Sequence, residues 1–190
     1  MKELSLNILD IAENSMKAGA SLTDIEITES KDTLTLKISD NGCGMSSEVL
    51  KSVEDPFYTT RTTRKVGMGI PLLKLEAEMT GGRFGITSKC ETEFPDTLGT
   101  VVTAVFNKNH IDYTPLGDIC SSILTLIQGH PDVDIKFTHK FDDYGVTLDT
   151  RELRSVLEGV PLNSFEVIKW IKEYLQEQYS EKNTNHRKED

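Results

Sequence analysis

The chain has 190 residues, with 21 basic and 31 acidic side chains, a formal net charge of −10, and 37% hydrophobic residues. That length can bury a core without disulfide or metal staples. An acidic balance without concentrated Lys and Arg argues against a nucleic-acid binder, and no run approaches the roughly 18 apolar residues of a membrane span. The start is polar too early for a secretory signal. Cys43, Cys90 and Cys120 form no CxxC pair, so neither a disulfide framework nor a zinc site is expected, and a reducing, cytoplasmic location is.

Leu4, Ile8, Ile11, Ala12 and Met16 recur at helical spacing, which predicts an amphipathic helix over residues 3–18 ended by Gly19. Residues 24–29 and 33–39 alternate apolar and polar side chains and read as a hairpin. A short helix over 46–54 follows, capped by Ser46 or Ser47. A second helix over 70–80 is stopped by Gly81 and Gly82, and strands are expected over 83–88 and 99–107. This order predicts an α/β (α+β) sandwich, a mixed sheet with helices on one face.

Residues 110–179 read as a small α+β C-terminal unit. Thr114 is the expected cap of a helix with Pro115 at its first position and Gly129 at its end. A hairpin over 132–149 and a short helix over 150–158 follow. A last helix over 164–179 is expected to be capped by Asn163 with Glu166, burying Phe165, Ile168, Ile171, Leu175 and Tyr179. Residues 180–190 hold no apolar residue and read as a disordered tail. The unit is expected to pack on residues 1–109 or to mediate a homodimer.

Chemistry concentrates in four segments of residues 1–109. Asp10, Asn14 and Lys17 share one side of the first helix, where a carboxylate, an amide oxygen and an ammonium suit a magnesium-phosphate group as readily as a solvated face. Asp40-Asn41-Gly42-Cys43-Gly44-Met45 follows a strand. Its glycines allow backbone close to a ligand, and Asp40 can accept from an exocyclic amine. The segment from Asp55 through Phe57, Thr59, Thr60, Arg61, Arg64 and Lys65 is hydroxyl-rich and basic, which fits a lid over phosphates or a plain surface loop. Gly67-Met68-Gly69-Ile70 opens a helix whose backbone amides favour anions.

Together, in this order, the four segments resemble the motifs of the GHKL ATPase superfamily of histidine kinases, gyrase-type topoisomerases, mismatch-repair ATPases and heat-shock chaperones. LDIAENSMKAGA is similar to its N box, ISDNGCGM to its DxGxG box, DPFYTT to the histidine-kinase F box, and VGMGIPLLK to the G2 box. Leu98-Gly99-Thr100 resembles its final GT strand, and no P-loop signature is present. The resemblance covers residues 3–107 and implies the Bergerat ATP-binding fold over residues 1–109, with ATP and Mg2+ as ligands. It implies Asn14 as the magnesium ligand, Asp40 as acceptor of the adenine amine, and Gly42, Gly44 and Met45 against the base. Thr100 would stand near the adenine, Lys17 on a phosphate, and Gly67, Met68, Gly69 and Ile70 around the triphosphate. Phe57, Thr59, Thr60 and Arg61 fall in the implied lid. Asp10 matches the position of the water-activating Glu of gyrase-like members, one methylene shorter, and Glu13 is the second candidate carboxylate.

All four histidines lie after residue 109, so a phosphoacceptor hairpin ahead of the nucleotide motifs is not expected within this sequence. Two uses of ATP remain open at this level. One is a stand-alone protein kinase acting on a separate, unidentified partner protein; the other is an ATP-gated interaction module with weak or no phosphotransfer. No nucleic-acid or membrane partner is expected.

Overall fold

The computed structural model describes residues 3–53, 69–94, 98–142 and 144–185. Its helices are α1 (Leu4–Lys17), α2 (Ser47–Ser52), α3 (Gly69–Met79), α4 (Ile119–Gly129), α5 (Thr150–Leu157) and α6 (Phe165–Asn185). Its strands are β1 (Leu22–Glu29), β2 (Thr33–Asp40), β3 (Arg83–Lys89), β4 (Gly99–Asn107), β5 (Asp134–Lys140) and β6 (Gly145–Asp149). They form one six-stranded sheet in the order β3-β4-β2-β1-β5-β6. The β1–β5 pair is parallel and the others are antiparallel, so the sheet is mixed as expected.

Strict alternation gives this sheet one apolar face. Ile25 and Ile27, Leu34, Leu36 and Ile38, Val102, Ala104 and Phe106, Ile135 and Phe137, and Val146 and Leu148 are all buried on it. The opposite face is polar. There Lys136 meets Asp24 at 3.0 Å and Lys140 meets Glu26 at 2.8 Å across the parallel pair. Such exposed pairs add little stability, but they make the face soluble and disfavour a one-residue slip in register.

Helices α1, α3, α4 and α6 contribute Ile8, Leu73, Ile123 and Ile171 to the same core. The C-terminal segment is bound into the first part at three levels. Its strands β5 and β6 widen the sheet beyond β1, and its helices enter the shared core. The carbonyls of Pro115 and Leu116 also accept from the Leu4 and Ser5 amides at 2.9 and 2.8 Å. These amides are among the first N–H groups of α1, which have no partner within the helix. Glu3, its N-cap, makes no side-chain capping bond, so the chain ahead of α4 performs that task.

Three local expectations change in the C-terminal part. Helix α4 starts at Ile119, and its cap is Asp118, which accepts from the Ser121 amide at 2.9 Å. Thr114 and Pro115 lie ahead of it, because the Pro115 and Leu116 carbonyls are committed to α1. Helix α6 starts one residue after Ser164, whose carbonyl accepts from Ile168, so Asn163 is not its cap. Phe165 is 76% exposed, while Val167, Ile171 and Leu175 carry the buried stripe. The helix continues through Asn185, into the segment expected as a tail.

Asp118 is a direct test of this start. The Ser121 hydroxyl and amide hold its carboxyl below the ordinary 3.8. Its stabilising contribution is therefore complete above that ordinary value and is lost as pH falls through the lower folded-state value. Asp118→Ala is expected to cost about 1 kcal/mol, a Tm drop of about 2–4 °C for a chain of this size. Thr114→Ala, measured by the same thermal unfolding at neutral pH, should stay within about 0.5 kcal/mol of the parent.

Candidate functional site

The apolar face of the sheet turns polar along one row. Thr23, Asp40, Thr100 and Ser88 are directly opposed partners on β1, β2, β4 and β3. Each continues the inward-facing phase of its strand, after Ile25, Ile38, Val102 and Ile86 respectively. Helix α1 behaves alike: its stripe of Leu4, Ile8 and Ile11 ends in buried Ser15. Polar side chains at core-phase positions need partners; here Ser15 bonds to Asp40, and the Ser88 and Thr100 hydroxyls bond to each other.

Asp40 Oδ1 accepts from the Gly42 amide at 2.9 Å and the Thr100 amide at 3.3 Å. Its Oδ2 accepts from the Ser15 hydroxyl at 2.8 Å. A carboxylate offers about four acceptor positions, so one remains on Oδ2 for a further donor. Beside it, the Ser88 hydroxyl lies 2.8 Å from the Thr100 hydroxyl and accepts from the Met45 amide at 2.8 Å. The Thr23 hydroxyl is buried and has no hydrogen-bond partner.

The loop after β2 is pinned on both sides. The Cys43 amide donates to the Ala18 carbonyl at 2.9 Å. Asn41 Oδ1 accepts from the Ser21 and Leu22 amides, both at 2.9 Å. Gly44 has φ +66, and a Cβ there would fall 2.0 Å from the Lys89 carbonyl oxygen, so only glycine fits.

On α1, Asp10 is exposed and Asn14 half-buried. Asp10 faces the first turn of α3: a Cβ built on Gly69 would stand 3.2 Å from the Asp10 Cβ and 3.8 Å from its Oδ2. The two helices are also joined through Asn7, which donates to Glu76 Oε2. Ile70, next in α3, is buried in the core. Glu13 turns elsewhere. Its Oε1 lies 2.9 Å from His130 Nε2, and its Oε2 is 3.6 Å from Lys17 Nζ.

The expected site residues thus fall into two adjoining groups. Asp40, Gly42, Gly44, Met45 and Thr100 surround one corner of the sheet, and Ser15 links them to the Asp10–Asn14–Lys17 side of α1. Phe57, Thr59, Thr60, Arg61, Gly67 and Met68, and the expected lid as a whole, lie outside the described residues. Ser15, Ser88 and His130 were not anticipated. The first two carry a readable signal, a hydroxyl residue at the core phase of an otherwise apolar stripe; His130 carries none, since its partner is 117 positions away.

Residues 2–110 match the family described as histidine kinase-, DNA gyrase B- and HSP90-like ATPase. The match takes in more than half of the chain, and the protein belongs to this family: it carries an ATP-binding, histidine-kinase-like ATPase domain. It is 28% identical over 94 residues to the sensor protein KdpD of Clostridium acetobutylicum, covering 47% of this chain and 10% of that protein. It is 33% identical over 100 residues to the tetrathionate sensor histidine kinase TtrS of Salmonella typhimurium, covering 52% of this chain and 16% of that one. The chain therefore spans a small fraction of the length of these relatives. Its fold is similar to that of the Aquifex aeolicus MutL ATPase domain complexed with ADP, with a TM-score of 0.53 at 15% identity over 83% of this chain and 70% of that one. No helix among the described residues is long and apolar enough to cross a membrane.

Gly44→Ala is expected to destabilise the protein by about 1–3 kcal/mol, the range for a strained backbone position. Gly85→Ala is the control, since a Cβ there meets nothing within 4 Å. Urea unfolding of the two variants checks the difference.

Proposed function

We propose that the protein is a magnesium-dependent kinase that binds ATP between the Asp40 corner and α1, and passes the γ-phosphate to a separate partner protein. The observation that carries the reading is the remaining acceptor position on Asp40 beside a helix face bearing Asp10, Asn14 and Lys17. The adenine amine donates to Asp40, whose other contacts hold it ready at no reorganisation cost. Gly42 and Gly44 let the loop backbone lie against the base, and the Thr100 hydroxyl stands beside it. The triphosphate then runs along α1 toward the start of α3, where the Gly69 amide end favours anions. Lys17 offsets phosphate charge. The kinase names of the curated relatives support the choice of phosphotransfer.

Among the described residues no cluster of three or more His, Cys, Asp or Glu is built to cage a metal. That fits magnesium, which keeps waters and takes one or two protein oxygens plus phosphate oxygens; the amide oxygen of Asn14 is the hard donor on this face. When bound, the ion draws charge off the phosphates. Asp10 is the carboxylate for the proton: with Glu13 engaged by His130, Asp10 takes the proton of the acceptor as its oxygen or nitrogen bonds to the γ-phosphorus and ADP departs.

Asp40→Asn tests the base contact. Asn can keep accepting from the Gly42 and Thr100 amides but presents an NH2 where the adenine amine needs an acceptor. ATP affinity by calorimetry should fall about 10- to 100-fold, the worth of a hydrogen bond to a charged group, with Tm little changed. Asn14→Ala should remove the magnesium dependence of that affinity. Incubation with γ-labelled ATP and lysate from the native cell should label a partner, and Asp10→Asn should abolish the labelling. Tight ATP binding with no transfer to any protein would instead assign an ATP-gated interaction module.

A further inference from the structure

Helices α1 and α4 lie side by side and in step. The Ser122 hydroxyl of α4 donates to the Ser5 carbonyl of α1 at 3.0 Å. Eight residues further along each helix, about 12 Å at the helical rise, His130 Nε2 meets Glu13 Oε1 at 2.9 Å. Two contacts with equal spacing on both helices fix their relative translation. His130 is the C-cap residue of α4, with its amide donating to the Leu126 carbonyl at 2.9 Å, so its backbone is held as well.

Glu13 is shared. One oxygen is taken by His130, and the other stands 3.6 Å from Lys17 Nζ, beyond hydrogen-bond range. The Lys17 side chain is 56% exposed and forms a loose ion pair with Glu13 that lacks a hydrogen bond. Its position one helical turn past Glu13 makes a tighter pair the natural alternative, because i, i+4 Glu–Lys pairs form readily when nothing else engages the carboxylate.

We propose that His130 is a positioning residue for the triphosphate: by holding Glu13, it keeps Lys17 from collapsing onto that carboxylate and leaves the ammonium available to phosphate. The inference rests on the assignment of Lys17 to the phosphates. It gives the C-terminal segment a role in the nucleotide site without any contact to the nucleotide. The adenine contacts do not involve this relay, so the effect is confined to ligands that carry phosphate.

The test measures Mg·ATP and adenosine affinities of the full chain, adenosine by competition with a fluorescent ATP analogue. His130→Ala should weaken Mg·ATP about threefold to tenfold, the range of a partly exposed charge coupling, and leave adenosine unchanged. His130→Gln, which can still donate to Glu13, should restore ATP affinity. In a Lys17→Met background His130→Ala should have no further effect. Equal weakening of ATP and adenosine, or an ATP loss that persists without Lys17, would overturn the proposal. If Lys17→Met alone leaves ATP affinity intact while Asp40→Asn lowers it as expected, the phosphate role of Lys17 falls and this inference with it, but the adenine site stands.

Discussion

A carboxylate at the inward-facing end of a core strand needs donors, and the corner of this molecule is organised by that need. Asp40 continues the phase of Leu34, Leu36 and Ile38, so the pleat directs it inward. It obtains its donors from three elements at once: the loop amide of Gly42, the β4 amide of Thr100 and the α1 hydroxyl of Ser15. A charged group half withdrawn from water is tolerated only when so partnered. The same bonds therefore close the loop, set the end of β4 and fix the rotation of α1, whose outer side bears Asp10, Asn14 and Lys17. The proposed ligand recognition and local folding share one group.

The second constraint is that α1 cannot cap itself. Its N-cap makes no side-chain capping bond, and the carbonyls of Pro115 and Leu116 satisfy its first amides. At the other end, His130 engages Glu13. Both ends of the helix that carries the proposed phosphate-binding groups are thus held from residues beyond 110. The C-terminal segment shares a sheet and a core with the first part, and also frames its site helix.

Periodicity made the elements of the first 109 residues readable almost to their ends, because each buries one face: α1, the β1–β2 hairpin and β4 begin and stop within a residue or two of expectation. The motif residues Asp40, Gly42, Gly44 and Thr100 converge, as their order implied. What was illegible depends on distant partners. Thr114 looked like a cap until the chain before α4 proved committed to α1, which moved the cap to Asp118. Phe165 looked buried by helical spacing, but the stripe that faces the core is set by Val167 and Ile171. The parallel pairing of β5 with β1 joins residues about 110 apart and leaves no local trace. Ser15 and Ser88 were legible in principle, as polar residues on apolar stripes, but only the sheet register reveals that they converge.

Asp40 is proposed to read the adenine amine. Inosine triphosphate keeps the ribose and phosphates of ATP and carries a carbonyl where adenine has that amine. Calorimetric titration of the full chain with each nucleotide and magnesium tests the claim most directly. The inosine nucleotide is expected to bind at least about tenfold more weakly, since its carbonyl would face a carboxylate; equal affinity for the two would contradict the adenine contact of Asp40.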